Sequence, residues 1–266
     1  MITQTKIWLR NRVPKRYQVP LKYLANAVYG RLEDEMRLLN FLVQPHQLVI
    51  DVGGNRGTYA YRLWQLRTKV VVFEPNPECA SILKAWASNK PNLFVHAIAL
   101  SNKEGKANLH IPIDDKGIIH DASASLEHTN FSKVSDQVVC IRTLDSFRFQ
   151  QVGFIKIDVE GHEFDVVLGA EETLRTSKPS LLIEIEQRHS TRRIQDIFRK
   201  FDDMGYSCYY LGAKGLLTID NFEVVKDQNI DIFYRKPKNY INNFLFLHKS
   251  KLKLGEYKSL FKRYRT

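Results

Sequence analysis

Two clusters of residues in this sequence have types and spacings suited to chemistry on a bound ligand. The first is the run LVIDVGGNRGTY over residues 48–59, where an apolar stretch ends at Asp51 and leads into glycines at positions 53, 54 and 57. Glycine permits a positive φ and has no Cβ that would keep a ligand away from the backbone. A helix that follows such a turn presents unpaired N–H groups and the positive end of its dipole. The run therefore predicts a ligand-binding turn between a buried strand and a helix.

An acid at the end of the next apolar run narrows the ligand class. Glu74 follows Val70–Phe73 and stands 23 residues after Asp51, close to the spacing at which dinucleotide folds place the acid that binds ribose hydroxyls. The Gly-x-Gly-x-x-Gly pattern and the Gly-Lys-Ser/Thr ending of a P-loop are both absent. The D-x-G-x-x-x-G spacing instead favours a cationic, phosphate-free ligand whose ammonium group Asp51 can face. The alternative interpretation is an ordinary glycine-rich turn.

The second cluster is KIDVEGHE, residues 156–163, which is unusually dense in ionisable groups. Asp158, Glu160 and His162 are candidates to take a proton from a hydroxyl, or to hold a divalent ion that lowers its pKa. His162 ranks first as the base because histidine titrates near neutral pH, and Glu184 and His189 rank as outside candidates. The alternative is that these groups cap a helix or form a solvated surface cluster.

The elements that must position these groups alternate between strand and helix, which argues for a parallel sheet covered on both faces. An amphipathic helix is expected over 33–43, and the stretch between 113 and 135 is polar enough for a lid or binding loop. Expected helices lie at 58–66, 78–87, 163–174 and 192–204. Expected strands lie at 48–50, 70–73, 93–96, 106–112, 137–141, 153–157, 180–186, 206–211 and 230–234.

The positive charge of the chain belongs to its two ends. The net charge is +11, yet residues 1–31 hold seven Lys or Arg with no acid, and residues 235–266 hold ten with a single acid. Because the remaining body is mildly acidic, a nucleic-acid partner is disfavoured. In the tail, apolar residues at 254, 257, 260, 261 and 264 share one helical face. That face predicts docking on the domain or on a partner subunit, or contact with an anionic membrane surface.

Composition sets the remaining expectations. Three widely spaced cysteines, Cys79, Cys140 and Cys208, fit reduced, buried thiols better than disulfides or a zinc site. No secretory signal and no membrane-spanning run are apparent, so a cytoplasmic protein, peripheral at a membrane surface in one interpretation, is expected. The expected division is a basic helical segment over 1–44, a ligand-binding domain over 45–236 and a basic amphipathic tail over 237–266.

The order and spacing of several motifs resemble the FkbM family of S-adenosylmethionine-dependent methyltransferases, over about residues 45–210. The family usually has Ala where this chain has Gly54, an exchange expected to cost little because both residues are small. The matching segments are DVGGNRGTY (51–59), FEPNP (73–77), AIALSNKEG (97–105), ASL (124–126), TLDSF (143–147), KIDVEGHEFDVVLGA (156–170) and KPSLLIEIE (178–186).

The resemblance implies a Rossmann-like class I methyltransferase fold, an α/β fold with a mainly parallel seven-stranded sheet and helices on both faces. It places Glu74 on the ribose hydroxyls, Ala97 against adenine and Asp158 near the sulfonium, with the methionine end lined by Asp51, Gly53, Asn55 and Gly57. It also implies O-methylation of a sugar, glycolipid or other small hydroxylated acceptor. One alternative is a nucleic-acid methyltransferase, which the acidic body and the absence of an Asn/Asp-Pro-Pro-Tyr/Phe motif disfavour. A non-catalytic module that binds S-adenosylmethionine is a further alternative on the same fold.

Overall fold

The computed structural model describes residues 12–114, 116–127, 133–190, 192–231 and 240–264. The α-helices that lie fully within these residues are α1 Lys15–Val28, α2 Leu39–Leu42, α3 Thr58–Gln65, α4 Pro77–Ala87, α5 Glu163–Leu168, α6 Glu171–Ser177, α7 Ile194–Asp203, α8 Val224–Asp227, α9 Lys249–Leu254 and α10 Lys258–Arg263. The strands are β1 Leu48–Val52, β2 Lys69–Phe73, β3 Leu93–His96, β4 Ala99–Leu100, β5 Gly105–Ile113, β6 Lys133–Arg142, β7 Val152–Ile157, β8 Ser180–Glu184, β9 Tyr206–Gly212, β10 Gly215–Thr218 and β11 Asn243–His248.

The central sheet has eight strands in the order β10-β9-β11-β8-β7-β1-β2-β3. The five strands from β8 to β3 are parallel to one another, whereas β11, β9 and β10 pair antiparallel. This mainly parallel sheet confirms the expected Rossmann-like class. The expected count of seven strands is one short, because the chain turns back at residues 212–215 and adds β10 at the edge.

Alternate residues along the strands pack into two separate apolar cores, one on each face of the sheet. Ile50, Val52 and Ile157 belong to the core that includes residues of α5, α6 and α7. Val49 and Phe154 belong to the other core, which includes residues of α1, α3, α4 and α10. Because both faces are covered, only the strand ends are open to ligands.

The two strands expected at 106–112 and 137–141 form a sheet of their own. β5 and β6 pair antiparallel over nine residue pairs, and β4 joins the other edge of β6. The side chains of Val139 and Ile141 are buried in the small core of this sheet, whereas Cys140 between them is exposed. The expectation of three buried thiols is therefore wrong for Cys140, although all three cysteines are free.

The N-terminal region differs from the expected helix over 33–43. The chain instead forms α1, then a 3₁₀ turn at Asp34–Arg37 and the single-turn α2. Met36, Leu39 and Leu42 are nevertheless buried. The apolar pattern therefore predicted which side chains are buried, but the prediction of one continuous helix was wrong.

The C-terminal region supplies a strand to the middle of the sheet. The strand expected at 230–234 is wrong at its first two residues, which are helical, and residues 232–234 lie outside the described part of the chain. β11 lies instead between β8 and β9, within the segment expected to be a tail. The apolar face of that tail packs on the domain through Tyr257 and Leu260, while Leu254 remains 76% exposed.

Among the described residues, no helix combines the length and the apolar character that a membrane span requires.

Candidate active site

A cleft, called here the main cleft, opens at the carboxyl ends of β1, β2 and β7. Its empty space, including the solvent at its mouth, is about 560 Å³. Open α/β sheets bind ligands at this edge. The lining residues are Val52, Gly53, Asn55, Phe73, Glu74, Pro75, Ala99, Leu100, Leu109, Asp121, Ala124, Ser125, Leu126, Asp158, Val159, Glu160 and His162.

The glycine-rich turn after β1 forms one wall of the main cleft. The N–H groups of Gly53 and Gly54 both donate to the carbonyl of Phe73, at 2.9 and 3.1 Å, which ties the turn to the end of β2. Gly53 has a φ of +78°, and a Cβ added there would lie 1.7 Å from the carbonyl oxygen of Asp158. A side chain at Gly53 would thus push apart the two strand ends that form the cleft.

Gly54 is also closely packed, on the side away from the cleft. A Cβ there would lie 2.2 Å from Cγ1 of Val72 and 3.5 Å from Cδ1 of Leu83. The expectation that Ala in place of Gly54 costs little is therefore wrong for this chain, because buried Val72 already fills the space.

Glu74 projects from the end of β2 and is held in position by the backbone. Its Oε2 accepts the N–H of Asn55 at 2.5 Å, and its Oε1 accepts the N–H of Asn76 at 2.7 Å. Burial raises the pKa of this carboxyl to about 7, although both N–H groups act to lower it. Each oxygen keeps a second lone pair, so the fixed carboxylate can still accept hydrogen bonds from two hydroxyls of a ligand.

Asp51 lies beneath the main cleft and does not line it. Its side chain is 1% exposed, and its Oδ2 has no hydrogen-bond partner among the described residues. Burial raises its pKa to about 7, against the opposing effect of Lys156. An unsatisfied buried carboxylate oxygen is costly. The atom is therefore suited to a donor that a bound ligand, or a water beneath it, would supply.

Lys156, Asp158 and Glu184 form a buried charged network beside Asp51. The ammonium of Lys156 is 0% exposed, donates to the Asn243 side chain at 3.3 Å and lies 5.0 Å from the ring centroid of Tyr59. Burial raises the pKa of Asp158 to about 6, while Lys156 and a hydrogen bond from Glu184 act to lower it. Burial, followed by the field of Asp158, raises the pKa of Glu184 well above its usual range. These directions favour a hydrogen bond in which Glu184 is the donor and the Asp158 carboxylate the acceptor.

His162 lines the main cleft, but both of its ring nitrogens have protein partners. Nδ1 lies 2.7 Å from Glu127 Oε1 and Nε2 lies 2.9 Å from Ser101 Oγ. Among the described residues, Glu127, His162 and Asp165 place one ligand atom each within 4.8 Å of one another, a grouping that could hold a metal ion. The predicted divalent ion has no further support than this grouping and stays a prediction.

Glu160 turns from the cleft wall toward the helical turn at 187–189. It adopts a left-handed φ of +54°, and its Oε2 lies 2.8 Å from Nδ1 of His189, whose pKa it raises. The carbonyl of Glu160 accepts the hydroxyl of Ser125 at 2.6 Å. Glu160 therefore ties the loop after β7 to two neighbouring segments.

The segment 116–127 covers the main cleft, at the place where a lid was expected. Asp121 pairs with the guanidinium of Arg56, and both side chains are 11% exposed. Asn76 donates to the other oxygen of Asp121 at 3.4 Å. The segment is thus fastened to the glycine-rich turn on one side and to Glu160 on the other.

The structure brings six of the predicted site residues together and leaves three outside the lining. Gly53, Asn55, Glu74, Asp158, Glu160 and His162 line the main cleft, whereas Asp51, Gly57 and Ala97 do not. Gly57 begins α3 with a φ of +79° and packs toward Val19. Ala97 is exposed just after β3, and the chain reaches the cleft only at Ala99 and Leu100.

Sequence reasoning missed Asp121, which no pattern in the sequence marked as a cleft residue. It also passed over Lys156, although a lysine within an otherwise apolar strand was a signal of a buried charge network.

A second cavity opens on the other side of the Asp158–Glu184 pair. Glu184, Glu33, Asn242 and Asn243 line it, and its volume is about 1940 Å³ including the solvent at its mouth. Glu33 accepts the hydroxyl of Tyr59 at 2.5 Å and the amide of Asn243 at 3.2 Å. The remaining lining includes the basic residues Arg31, Arg37, Lys214 and Arg263. Carboxylates and amides of this kind can bind the hydroxyls of a polyol.

This chain is similar to known methyltransferases in sequence and in fold. The family model described as the methyltransferase FkbM domain matches residues 51–208. The 2-O-methyltransferase NoeI of Sinorhizobium fredii is 25% identical over 162 residues, which cover 55% of this chain and 67% of the relative. The hexuronic acid methyltransferase AglP of Haloferax volcanii is 28% identical over 146 residues, which cover 54% of this chain and 58% of the relative.

A solved structure shares the fold. The crystal structure of methyltransferase FkbM from Methylobacillus flagellatus aligns with a TM-score of 0.50 and 16% identity, over 90% of this chain and 56% of that one. This chain thus spans about two thirds of the length of NoeI and less than two thirds of the lengths of the other two proteins.

Proposed function

The chain belongs to the FkbM methyltransferase family, and from that premise we propose that it transfers a methyl group from S-adenosylmethionine to a hydroxyl of a sugar-containing acceptor. One observation carries the proposal. The glycine-rich turn, Glu74 and Asp158 come from three separate strand ends and line a single cleft.

In this proposal the main cleft holds the cofactor. Glu74 accepts the ribose hydroxyls, because its carboxylate is already fixed by two N–H groups. Apolar Phe73, Pro75 and Leu126 contact the adenine ring, in place of Ala97. Gly53 and Asn55 face the methionine end, the buried carboxyl of Asp51 attracts its ammonium group from behind the cleft wall, and Gly57 acts only by starting α3. S-adenosylmethionine would supply there an activated methyl group on a positively charged sulfur.

Asp158 is proposed as the base. It lines the main cleft, and a hydrogen bond from Glu184 holds its carboxylate in position. When bound, the cofactor would supply the methyl group, and its sulfur would keep the electron pair of the broken C–S bond. Asp158 would take the proton that the acceptor hydroxyl loses as the O–C bond forms. His162 is placed second, because Glu127 and Ser101 occupy its ring nitrogens. Glu160 is placed third, because it pairs with His189.

The acceptor is proposed to approach Asp158 from the second cavity. Two similar proteins are named for 2-O-methylation and for a hexuronic acid substrate. Polar side chains at Glu33, Glu184 and Asn242 suit the hydroxyls of such a ring. Because the chain matches only part of each relative, the identity of the sugar is part of the proposal.

Calorimetry with S-adenosylhomocysteine tests the cofactor site. We expect Glu74→Gln to weaken this binding about tenfold or more, because one of its fixed acceptor oxygens becomes an amide donor. Glu104→Gln is the matched control, since that carboxylate is 56% exposed in a surface pair with Arg142. If both variants bind S-adenosylhomocysteine as tightly as the native chain does, the Glu74 carboxylate does not contact this ligand.

A screen with labelled methyl groups tests the reaction. We expect transfer to a pool of extracted glycans and glycolipids and none to RNA or DNA. Transfer to nucleic acid alone would overturn the acceptor class and keep the cofactor site. Tight cofactor binding without any transfer would instead favour a non-catalytic module.

A further inference from the structure

The helix α1 carries a row of apolar side chains that the described part of the chain leaves half exposed or more. Tyr17, Leu21, Leu24 and Val28 recur at intervals of four, three and four residues, which aligns them along one side of a helix. Their exposed fractions are 48%, 50%, 51% and 80%. Elsewhere in the described chain, exposed large apolar side chains such as Val138 and Val225 do not line up along a helix in this way.

The opposite side of α1 already anchors the helix to the domain. Val19 is 0% exposed within a core shared with α3 and α4, and the ring of Tyr23 lies 4.8 Å from that of Tyr61. The exposed row is therefore not needed to hold the helix in place. A contiguous apolar surface of this kind marks an interaction site more often than chance exposure does.

Charge identifies what would cover this face. Residues 12–31 contain five basic residues and no acid: Lys15, which pairs with Glu78 of α4, and Arg12, Arg16, Lys22 and Arg31. A second copy of the chain would bring this basic surface against itself, because a two-fold contact is self-complementary. An anionic lipid surface satisfies both features, since it accepts apolar side chains and attracts basic ones.

We propose that the outer face of α1, formed by Tyr17, Leu21, Leu24 and Val28, docks on anionic lipid bilayers. The chain runs from this helix directly into Gly30, Arg31 and Leu32, which line the second cavity. Docking thus brings the mouth of that cavity to the lipid surface, where an acceptor attached to lipid is within reach. This last consequence rests on the proposed function, whereas docking itself does not.

Vesicle flotation of the full chain tests the proposal. We expect at least about tenfold stronger binding to vesicles of phosphatidylcholine with about 30% phosphatidylglycerol than to phosphatidylcholine alone, with the difference reduced by salt. The variant Leu21→Gln/Leu24→Gln should lose about tenfold or more of this binding. Because both side chains are half exposed, its melting temperature and its binding of S-adenosylhomocysteine should stay unchanged.

The matched control is Val225→Gln, which alters a side chain that is 86% exposed on α8 and should keep full vesicle binding. Equal flotation with both vesicle types, or unchanged flotation of the double variant, would overturn the proposal. So would a stable dimer that the double variant dissociates, since that result assigns the face to a second copy. Because flotation needs no methyl transfer, failure of docking and failure of the proposed reaction are separate results.

Discussion

At the scale of single residues, the site is defined by carboxyl groups that the fold buries at the ends of parallel strands. Burial is the largest influence on Asp51, Glu74 and Asp158, and it raises the pKa of each. A cationic ligand would reverse this effect by stabilising the charged forms. The charged forms of these carboxyl groups therefore destabilise the ligand-free protein and favour binding of a positively charged cofactor.

Asp158 should determine the acidic limb of the pH–rate profile. A base acts in its deprotonated form, so kcat/KM, which reports the pKa values of the free protein, should rise with pH through the pKa of about 6 and then level off. Asp158→Asn should lower kcat by about 10² to 10⁴. Its affinity for S-adenosylhomocysteine, measured by calorimetry, should change little. A variant that retains native kcat would transfer the role of base to His162 or Glu160.

Glu184 should influence this limb as a positioning residue. Its proton lowers the pKa of Asp158, so Glu184→Ala should move the acidic limb to higher pH. Glu184→Gln keeps a hydrogen donor at that place and should leave the limb near its native position. The measurement is kcat/KM against pH for the three proteins. An identical shift in both variants would mean that lost packing, and not the lost hydrogen bond, is responsible.

Sequence reasoning identified cleft residues that follow directly after a buried strand. It missed residues that reach the cleft from segments distant in sequence. Glu74 and Asp158 were predictable because a strand pattern places its last residue at the open edge of the sheet. Asp121, Ser101 and Glu127 reach the site from segments distant along the chain. Their roles depend on tertiary contacts that no local spacing records. His162 was ranked first from its solution pKa, without knowledge of the partners on both ring nitrogens.

At the scale of elements, the turn between β1 and α3 is constrained by packing as much as by ligand access. A methyl group at Gly54 would overlap Val72, so Gly54→Ala should destabilise the fold by about 1–3 kcal/mol, as overpacked cores usually are. Val72→Ala removes the overlapping atom, so the double variant should be more stable than the sum of the single effects predicts. Urea unfolding of all four proteins measures this difference. Simple additivity would show that the turn moves freely to admit the methyl group.

The segment 116–127 should depend on the Arg56–Asp121 pair for its closure. Both side chains are 11% exposed, and breaking a largely buried pair leaves one charge uncompensated. Arg56→Ala should therefore speed hydrogen exchange in the segment and weaken S-adenosylhomocysteine binding. Arg142→Ala is the control, because its pair with Glu104 is about half exposed and of little consequence. If both variants exchange alike, the segment is held by its other contacts.

At the scale of the whole molecule, the sequence pattern predicted the alternation of strand and helix up to about residue 211. It did not predict the structure of the C-terminal region. β11 has the sequence NFLFLH and is buried on both faces, so it has no polar alternation that would mark it as a strand. The basic residues that surround it made the whole region resemble a tail. The lesson is that a short apolar run between lysines can be an inner strand of the sheet.

The position of β11 predicts how the molecule responds to truncation. A chain ending at residue 236, the predicted boundary of the ligand-binding domain, would lose buried Phe244, Leu245 and Phe246 and leave the edges of β8 and β9 unpaired. We expect this chain to lose its cooperative thermal transition, because each lost large apolar side chain costs about 2–5 kcal/mol and native stability is only about 5–15 kcal/mol. The control is Leu254→Asp in the full chain, which alters an exposed position of the same region and should keep the native melting temperature. A truncated chain that melts cooperatively near the native temperature would mean that residues 12–231 form a complete domain without β11.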